Sequence, residues 1–356
     1  MMMKLHIFNP EHDMALAQNS ENYTPTKAAL QIKSDLSYIP SIWAKEGDFI
    51  MVDDVVKAEN LCKKLPFKVE NINFITRSEI QNYLDYITEI SPWGWDKTIV
   101  KQLKQIGFRA DLLPSTSMLK DIRRLSNRKI AVKSLFYIKK AIENESIIGS
   151  SYYLSNLEGL KKIAQQYDKG VIKAPWSSSG RGLRFVDSEI SKVHLNWARN
   201  VINQQEGIVY EPYYDKIQDF AMEFYAFPDR VVYEGLSVFS SNHGVYSGSI
   251  IESETEKLRL LSKYIDLKLL EKVQATLLWH LSNICAHQYI GPLGVDMMIV
   301  ANKTSPQSYA LQPVVEINFR NTMGHVALRL SNKMQPTNKL MQLAFDGSHH
   351  SVIISD

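Results

Sequence analysis

Cysteine is nearly absent from this sequence: only Cys62 and Cys285 occur among its 356 residues. The two lie far apart and in no spacing typical of metal ligands. The sequence therefore argues against a disulfide scaffold and against a cysteine-based zinc site. We expect two buried structural thiols in a reducing compartment.

Long apolar runs and a strong net charge are also missing. No apolar stretch approaches the roughly 20 residues that a membrane-spanning helix needs. The first residues contain no apolar run of the roughly 7–15 residues typical of a secretory signal. The formal net charge is only +3, so no global field is present to hold a nucleic-acid backbone. We expect a cytoplasmic protein that binds neither membranes nor nucleic acids.

The composition that remains is that of a globular protein, with 45% hydrophobic and 22% charged residues. A chain of this length is too long for one ordinary core, which favours two or three packed units. A basic stretch between Arg123 and Lys140 leaves a nucleic-acid-binding helix as an alternative. A solvated helix face is the simpler interpretation of that stretch.

In the first third of the chain, apolar strand patterns alternate with helical ones. Strands are expected near 5–8, 48–52 and 69–76, each followed by a helix, which predicts a parallel, doubly wound sheet. No G-x-G-x-x-G pattern is present, so a dinucleotide-binding domain is not predicted. The polar residues 9–13 follow the first strand, where such sheets bind ligands. Helix capping by an acidic turn is the alternative for these residues.

A loop in the middle of the chain combines small residues with positive charge. A strand ends at Lys173, residues 177–182 contain three serines, two glycines and Arg181, and a returning strand covers 183–186. Glycine leaves backbone N–H groups uncovered, and serine hydroxyls add donors, so the loop can surround an anion. With Lys173 and Arg181, the pattern favours a polyphosphate site. A solvated hairpin loop is the alternative.

Two carboxylates and an amide lie on two apolar strand patterns near the end of the chain. Glu316 and Asn318 are two residues apart, so on a strand both side chains point to one face. If that strand pairs with the strand that carries Asp296, the three side chains meet. Hard oxygen donors of this kind suit Mg²⁺, which shares its ligands with substrate phosphates. A strand pair with one polar, solvent-facing side is the alternative.

The order of these motifs resembles the ATP-grasp superfamily over about residues 120–330. The segments that carry the resemblance are Lys173, Ser177 to Gly182, Val209-Tyr210-Glu211-Pro212-Tyr213, Gly294-Val295-Asp296 and Glu316-Ile317-Asn318-Phe319-Arg320. The resemblance implies an α/β fold with an N-terminal doubly wound α/β domain, followed by a two-subdomain ATP-grasp fold. The implied boundaries are 1–118 for the first domain, 119–206 and 207–345 for the two subdomains, and 346–356 for a C-terminal tail.

The resemblance also implies a nucleotide site. Lys173 matches the strand-end lysine that reaches the nucleotide, and Asp219 matches the acidic residue that binds the ribose. Arg128 falls where a phosphate-binding basic residue commonly opens a helix, although Lys129 fits the same role. The loop that closes over the phosphates would consist of Ser177, Ser178, Ser179, Gly180, Arg181 and Gly182, and the adenine hinge of Glu211 and Tyr213.

The implied cofactors are ATP and Mg²⁺, with Mn²⁺ as a substitute. Asp296, Glu316 and Asn318 match the metal ligands. Arg320, Arg181 and Lys173 are the implied catalytic residues, with Arg320 steadying a substrate carboxylate or acyl phosphate.

The implied activity is that of a carboxylate–amine ligase. ATP would activate a substrate carboxylate as an acyl phosphate, which an amine or a similar nucleophile then attacks. A kinase of a small metabolite and a non-catalytic nucleotide-binding or scaffold protein are the alternatives. The expected partners are small-molecule substrates, whose identity the sequence does not select, and a second copy of the chain as a homodimer.

Overall fold

The computed structural model of the protein describes residues 3–177, 180–302, 308–334 and 339–355. The chain divides into two compact units. The first unit contains Met1–Arg123, Gly248–Ser253 and Arg320–Asp356, and the second contains Arg124–Ser247 and Glu254–Phe319. The domain boundaries expected at 118, 206 and 345 stay predictions. None of the helices in the described ranges has both the length and the apolar character that crossing a membrane requires.

The described residues form strands and α-helices in mixed order along the chain. The strands are β1 (Met3–Ile7), β2 (Phe49–Met51), β3 (Asn73–Ile75), β4 (Ile87–Pro92), β5 (Tyr152–Leu154), β6 (Lys169–Lys173), β7 (Leu183–Asp187), β8 (Ile208–Pro212), β9 (Lys216–Ala226), β10 (Val231–Asn242), β11 (Val245–Ile251), β12 (Gly291–Ala301), β13 (Tyr309–Asn318), β14 (Lys339–Phe345) and β15 (His350–Ser355). The helices are α1 (His12–Gln18), α2 (Lys27–Asp35), α3 (Val55–Cys62), α4 (Lys97–Ile106), α5 (Thr116–Leu125), α6 (Arg128–Ile142), α7 (Leu157–Ala164), α8 (Lys192–Gln205), α9 (Glu254–Leu261), α10 (Leu267–Cys285) and α11 (Met323–Lys333).

The first unit contains a parallel four-stranded sheet with the order β3-β2-β1-β4. From β1 the chain runs outward through β2 to β3 and then returns to the other side of β1 for β4. The expected doubly wound α/β arrangement is confirmed. The order reverses between β1 and β4, and ligand crevices in such sheets lie at the carboxyl ends of the strands beside this point. Residues 9–13 follow β1 at that edge.

Local sequence signals explain where the helix after β4 begins and ends. The Asp96 side chain accepts hydrogen bonds from the Thr98 and Ile99 N–H groups, at 2.8 and 2.9 Å, and so caps α4. Gly107 ends the same helix with φ at +111°, a left-handed conformation that favours glycine. Local signals therefore set both the start and the end of α4.

The second unit contains two antiparallel sheets. In the smaller sheet the order is β5-β8-β6-β7, and α7 and α8 cover its apolar face with Leu160, Ala198 and Val201. In the larger sheet the order within this unit is β13-β12-β9-β10-β11. The strands β9, β10 and β11 are consecutive in the chain and neighbours in this sheet. The two antiparallel sheets, together with the parallel sheet of the first unit, agree with the expected α/β fold class.

In the first unit, residues 248–251 of β11 pair with β14, which pairs with β15. The buried carboxylate of Asp35, the last residue of α2, connects α2 to β15. It accepts hydrogen bonds from Lys57 Nζ at 2.7 Å and from the His350 N–H at 2.8 Å. Burial by itself would raise the pKa of this carboxyl. These hydrogen bonds, with a further one from Gln31, outweigh burial and hold the pKa well below its usual range.

We predict that Asp35→Asn lowers the free energy of unfolding by about 2 kcal/mol at neutral pH, because charge-assisted hydrogen bonds are lost. A carboxyl whose pKa is lower in the folded state stabilises the protein above its unfolded pKa of about 4, and this contribution disappears as the pH falls. The difference between wild type and variant should therefore shrink from about pH 5 downwards. Urea unfolding at several pH values measures it. A difference that is constant with pH would contradict the ionic role.

Candidate functional site

A buried ion pair connects two neighbouring strands of the smaller sheet. Lys173 Nζ, at the end of β6, lies 2.6 Å from Glu211 Oε2 on β8. Ser151 Oγ donates to the other oxygen of Glu211 at 3.0 Å. Lys173 is 8% exposed and Glu211 is 5% exposed. Each charge therefore depends on the other, since an unpaired buried charge is strongly destabilising.

The loop after Lys173 is closed by its own backbone. The Ala174 N–H donates to the Gly182 carbonyl at 2.8 Å. A side chain on Gly182 would come within 2.2 Å of Ser177, so only glycine fits beside this serine. Gly180 has φ at +71°, and the Arg181 side chain is exposed. The predicted phosphate-loop residues Ser178 and Ser179 lie outside the described residues.

Arg128 connects this loop to the larger sheet. Arg128 is the first residue of α6. The side chain of the preceding Asn127 caps this helix by accepting a hydrogen bond from the Lys129 N–H. Arg128 Nη1 donates to the Ala174 carbonyl at 2.5 Å and to Ser177 Oγ at 2.8 Å. Its Nη2 lies 2.7 Å from Glu316 Oε1 on β13. One guanidinium therefore contacts both the loop and a predicted metal ligand.

The register of β12 against β13 brings the three predicted metal ligands together. Asp296 pairs directly with Glu316, and Gly294 pairs with Asn318. Asn318 Nδ2 donates to Asp296 Oδ2 at 3.1 Å. All three side chains lie on one face of the hairpin, as the sequence predicted. Their oxygen atoms are of the kind that Mg²⁺ prefers.

Asp219 lies on the same face of this sheet. It is on β9, where Met298 pairs with Asp219 and Asp296 pairs with Ala221. The Asp219 carboxylate accepts from Lys216 Nζ at 2.6 Å and from Ser241 Oγ at 2.5 Å. Local sequence gives no signal for the Ser241 contact, because the pairing of β10 with β9 brings Ser241 to Asp219.

The segment that begins at Tyr213, a residue predicted to belong to the adenine hinge, is aromatic and partly exposed. The Tyr213 side chain is half exposed, and its ring meets Phe185 edge-on, with 6.3 Å between the ring centroids. Burial raises the pKa of the neighbouring Tyr214 phenol, and the nearby Glu211 carboxylate acts in the same direction. Tyr214 therefore stays neutral and accepts a hydrogen bond from the Ser150 N–H at 3.0 Å.

Arg320 belongs to the first unit, and it contacts Asp13 there. Arg320 Nε lies 3.1 Å from both Asp13 carboxylate oxygens, and Nη2 lies 2.8 Å from Oδ2. Nη1 donates to the Asn321 carbonyl. The resemblance implied that the guanidinium of Arg320 binds a substrate carboxylate. In the structure this guanidinium binds the carboxylate of Asp13.

The polar segment 9–13 is organised by Asp96, a residue that sequence reasoning missed. Asn9 and His12 are buried, and Asp96 Oδ2 lies 3.3 Å from Asn9 Nδ2 and 3.2 Å from His12 Nδ1. The position of Asp96 before an apolar helix is a local capping signal that could have identified it. Its contact with His12 depends on the β1–β4 pairing and has no local signal.

Comparisons with known proteins show similarity at the level of structure only. No protein-family model matches the chain, and no curated protein matches it. The chain is similar to the biotin carboxylase domain of 2-oxoglutarate carboxylase from Hydrogenobacter thermophilus, solved with MgADP, ADP and bicarbonate. The TM-score is 0.54 at 12% identity, over 96% of this chain and 74% of that chain.

It is also similar to N5-carboxyaminoimidazole synthase from Aspergillus clavatus, solved with ADP and 5-aminoimidazole ribonucleotide. Here the TM-score is 0.50 at 11% identity, over 98% of this chain and 83% of that chain. Identities this low show the fold. The chain has the ATP-grasp fold that its motif order predicted.

We predict that Lys173→Met lowers the free energy of unfolding by about 3 kcal/mol, because Glu211 is left buried without its cation. Adding Glu211→Gln to that variant should restore most of the loss. The matched control is Lys169→Met, at the exposed start of the same strand, where the partner Asp187 is also exposed. It should cost less than about 1 kcal/mol. Equal losses in the two single variants, measured by urea unfolding, would contradict the buried-pair assignment.

Proposed function

We propose that the protein is an ATP- and Mg²⁺-dependent ligase that activates a substrate carboxylate as an acyl phosphate for attack by an amine or a similar nucleophile. The observation that carries this proposal is the position of Arg128. Its guanidinium contacts Ser177 of the candidate phosphate loop and Glu316 of the candidate metal face. Residues predicted to bind phosphate and metal are thus within reach of one side chain in the second unit.

The nucleotide assignment is supported by the charges around the loop. Lys173 and Arg128 supply buried positive charge, and glycine at position 180 adds no side chain that would cover the backbone N–H groups of the loop. Glu211 and Tyr213 are assigned to the adenine, and Asp219 to the ribose. Both similar structures were solved with ADP. Arg181 is exposed, and we assign it to phosphate binding after the loop closes over the nucleotide.

The metal assignment rests on the donor set of the β12–β13 hairpin. Asp296, Glu316 and Asn318 fit Mg²⁺, with Mn²⁺ as a substitute, because all three offer hard oxygen donors on one face. Within the described ranges no group of three or more His, Cys, Asp or Glu side chains is placed to hold a metal. A bound ion would neutralise the charge on the transferring phosphoryl group.

Arg320 is assigned to the substrate carboxylate. Its fork already binds Asp13 in the geometry that a carboxylate ligand would use. We infer that a substrate carboxylate replaces Asp13, and that Asp13 keeps the guanidinium oriented until then. The protein's contribution to catalysis is positioning and charge neutralisation.

A product analysis separates the ligase from its alternatives. Purified protein is incubated with ATP, Mg²⁺ and mixtures of small carboxylates and amines, and ADP release is followed. An amide product identifies a ligase, and a stable phosphorylated product identifies a kinase. Nucleotide binding without ADP release in any mixture would favour a scaffold protein and contradict the proposal.

We predict that Glu316→Gln abolishes turnover and weakens ADP binding in the presence of Mg²⁺, while the protein stays folded. The amide is a poorer metal ligand than the carboxylate, and one negative charge is lost. Calorimetric titration with ADP, with and without Mg²⁺, measures the effect. The control is Glu271→Gln, the same change at an exposed position of α10. Wild-type turnover in Glu316→Gln would contradict the metal assignment.

We predict that Arg320→Lys reduces kcat/KM for the carboxylate substrate at least tenfold and leaves ADP affinity within about twofold. Lysine carries the same charge but lacks the planar fork that binds a carboxylate with two hydrogen bonds. Arg109→Lys, an exposed position of the first unit, is the control. If ADP affinity fell more than the rate, Arg320 would belong to the nucleotide site instead.

A further inference from the structure

Arg128 has two assignments that exclude one another. The family resemblance assigns it to a phosphate, whereas in the structure its Nη2 is bound to Glu316 Oε1, an assigned metal ligand. Arg128 is 8% exposed, and α6, which it opens, packs against β13. One guanidinium edge cannot bind a phosphate and the Glu316 carboxylate at once.

The pairing of the hairpin explains why a cation is needed at Glu316. Asp296 and Glu316 are direct cross-strand partners, so two carboxylates lie on one face of β12 and β13. Like charges opposite each other on a sheet are destabilising. Asn318 donates to Asp296, and Arg128 supplies a full positive charge to Glu316. The guanidinium thus compensates the charge that a metal ion would otherwise compensate.

The Nε–Nη2 edge of the guanidinium has fewer hydrogen bonds in Arg128 than in Arg320. On Arg320, Nε and Nη2 together bind the carboxylate of Asp13. On Arg128, Glu316 binds Nη2 alone, and Nε is buried without a hydrogen-bond partner among the described residues. A phosphate has several oxygens and can bind both nitrogens of this edge. If a phosphate replaced the Glu316 carboxylate on this edge, the Nε–H group of Arg128 would also gain an acceptor.

We propose that Arg128 is an exchangeable cation that makes metal binding depend on nucleotide binding. Without nucleotide, Arg128 neutralises Glu316 and repels a divalent ion from the Asp296–Glu316 face. Nucleotide phosphates withdraw Arg128 from Glu316, and the carboxylate becomes available as a metal ligand. This inference rests on the proposed nucleotide and metal site and adds an order of binding, nucleotide before metal.

Titration of Glu316→Gln with ADP in the presence of a chelator tests the competition directly. Removing the charge of Glu316 releases Arg128 for phosphate, so ADP should bind about tenfold more tightly than to wild type, the size expected for one charge-assisted hydrogen bond. The same variant should bind ADP more weakly than wild type when Mg²⁺ is present. A change that merely damaged the site would weaken binding in both conditions. Unchanged or weaker binding in the chelator would overturn the proposal.

Titration of Arg128→Met with MnCl₂ alone tests whether Arg128 opposes metal binding at Glu316 when no nucleotide is present. With the guanidinium gone, Mn²⁺ should bind without nucleotide about tenfold more tightly than to wild type, and metal-free ADP should bind more weakly. Electron paramagnetic resonance, which detects free Mn²⁺, measures the affinity for Mn²⁺ in the absence of nucleotide. The matched control is Lys140→Met, the same removal of a positive charge at an exposed position near the end of α6. This control should change neither affinity.

The outcomes separate this inference from the proposed function. If wild type binds no ADP in either condition, the nucleotide site itself is wrong, and the exchange falls with it. If wild type binds MgADP normally but Arg128→Met binds Mn²⁺ no better than wild type, the site stands and the exchange is wrong. Should Arg128→Met fail to fold, the Glu316→Gln titration still decides between the two.

Discussion

The register of β12 against β13 is the constraint on which the candidate site depends. Side chains alternate between the two faces of a strand, so a slip of one residue would move Glu316 and Asn318 away from Asp296. The observed register pairs Asp296 with Glu316 and Gly294 with Asn318. A second register, that of β12 against β9, places Asp219 on the same face. The acidic residues of the site are thus positioned by backbone pairing.

Acidic side chains with little exposure to solvent need a compensating charge, and the structure supplies it with cations from distant parts of the chain. Lys173 pairs with Glu211, Arg128 with Glu316, and Arg320 with Asp13. Each pair is largely removed from solvent, where an isolated charge would be costly. The same cations are the ones suited to phosphate and carboxylate ligands. Internal pairing therefore fixes the orientation of the side chains that are proposed to bind ligands.

Local patterns account for many elements of the fold, but the α-helix expected after the third strand is not formed, and only the short 3-10 helix Ile80–Tyr83 lies between β3 and β4. The stop of α4 at Gly107, the cap of α6 at Asn127 and the meander of β9 to β11 all follow from nearby residues. Period-two spacing placed Glu316 and Asn318 on one face before any pairing was known. Partners from other elements were not predictable in this way. The contacts of Ser151 with Glu211 and of Arg320 with Asp13 join residues far apart in sequence, and no local pattern encodes them.

The sequence by itself determined which chemical groups are present and on which elements they lie: a lysine at the end of a strand, a serine–glycine loop, and carboxylates spaced for one face. These properties follow from covalent order and backbone periodicity, which are local. Only the tertiary structure decided which charges meet. It assigned Arg128 to Glu316 and Asp13 to Arg320, because such pairing depends on the positions of whole strands and helices. Those positions are set by packing and sheet register, which act over the entire chain.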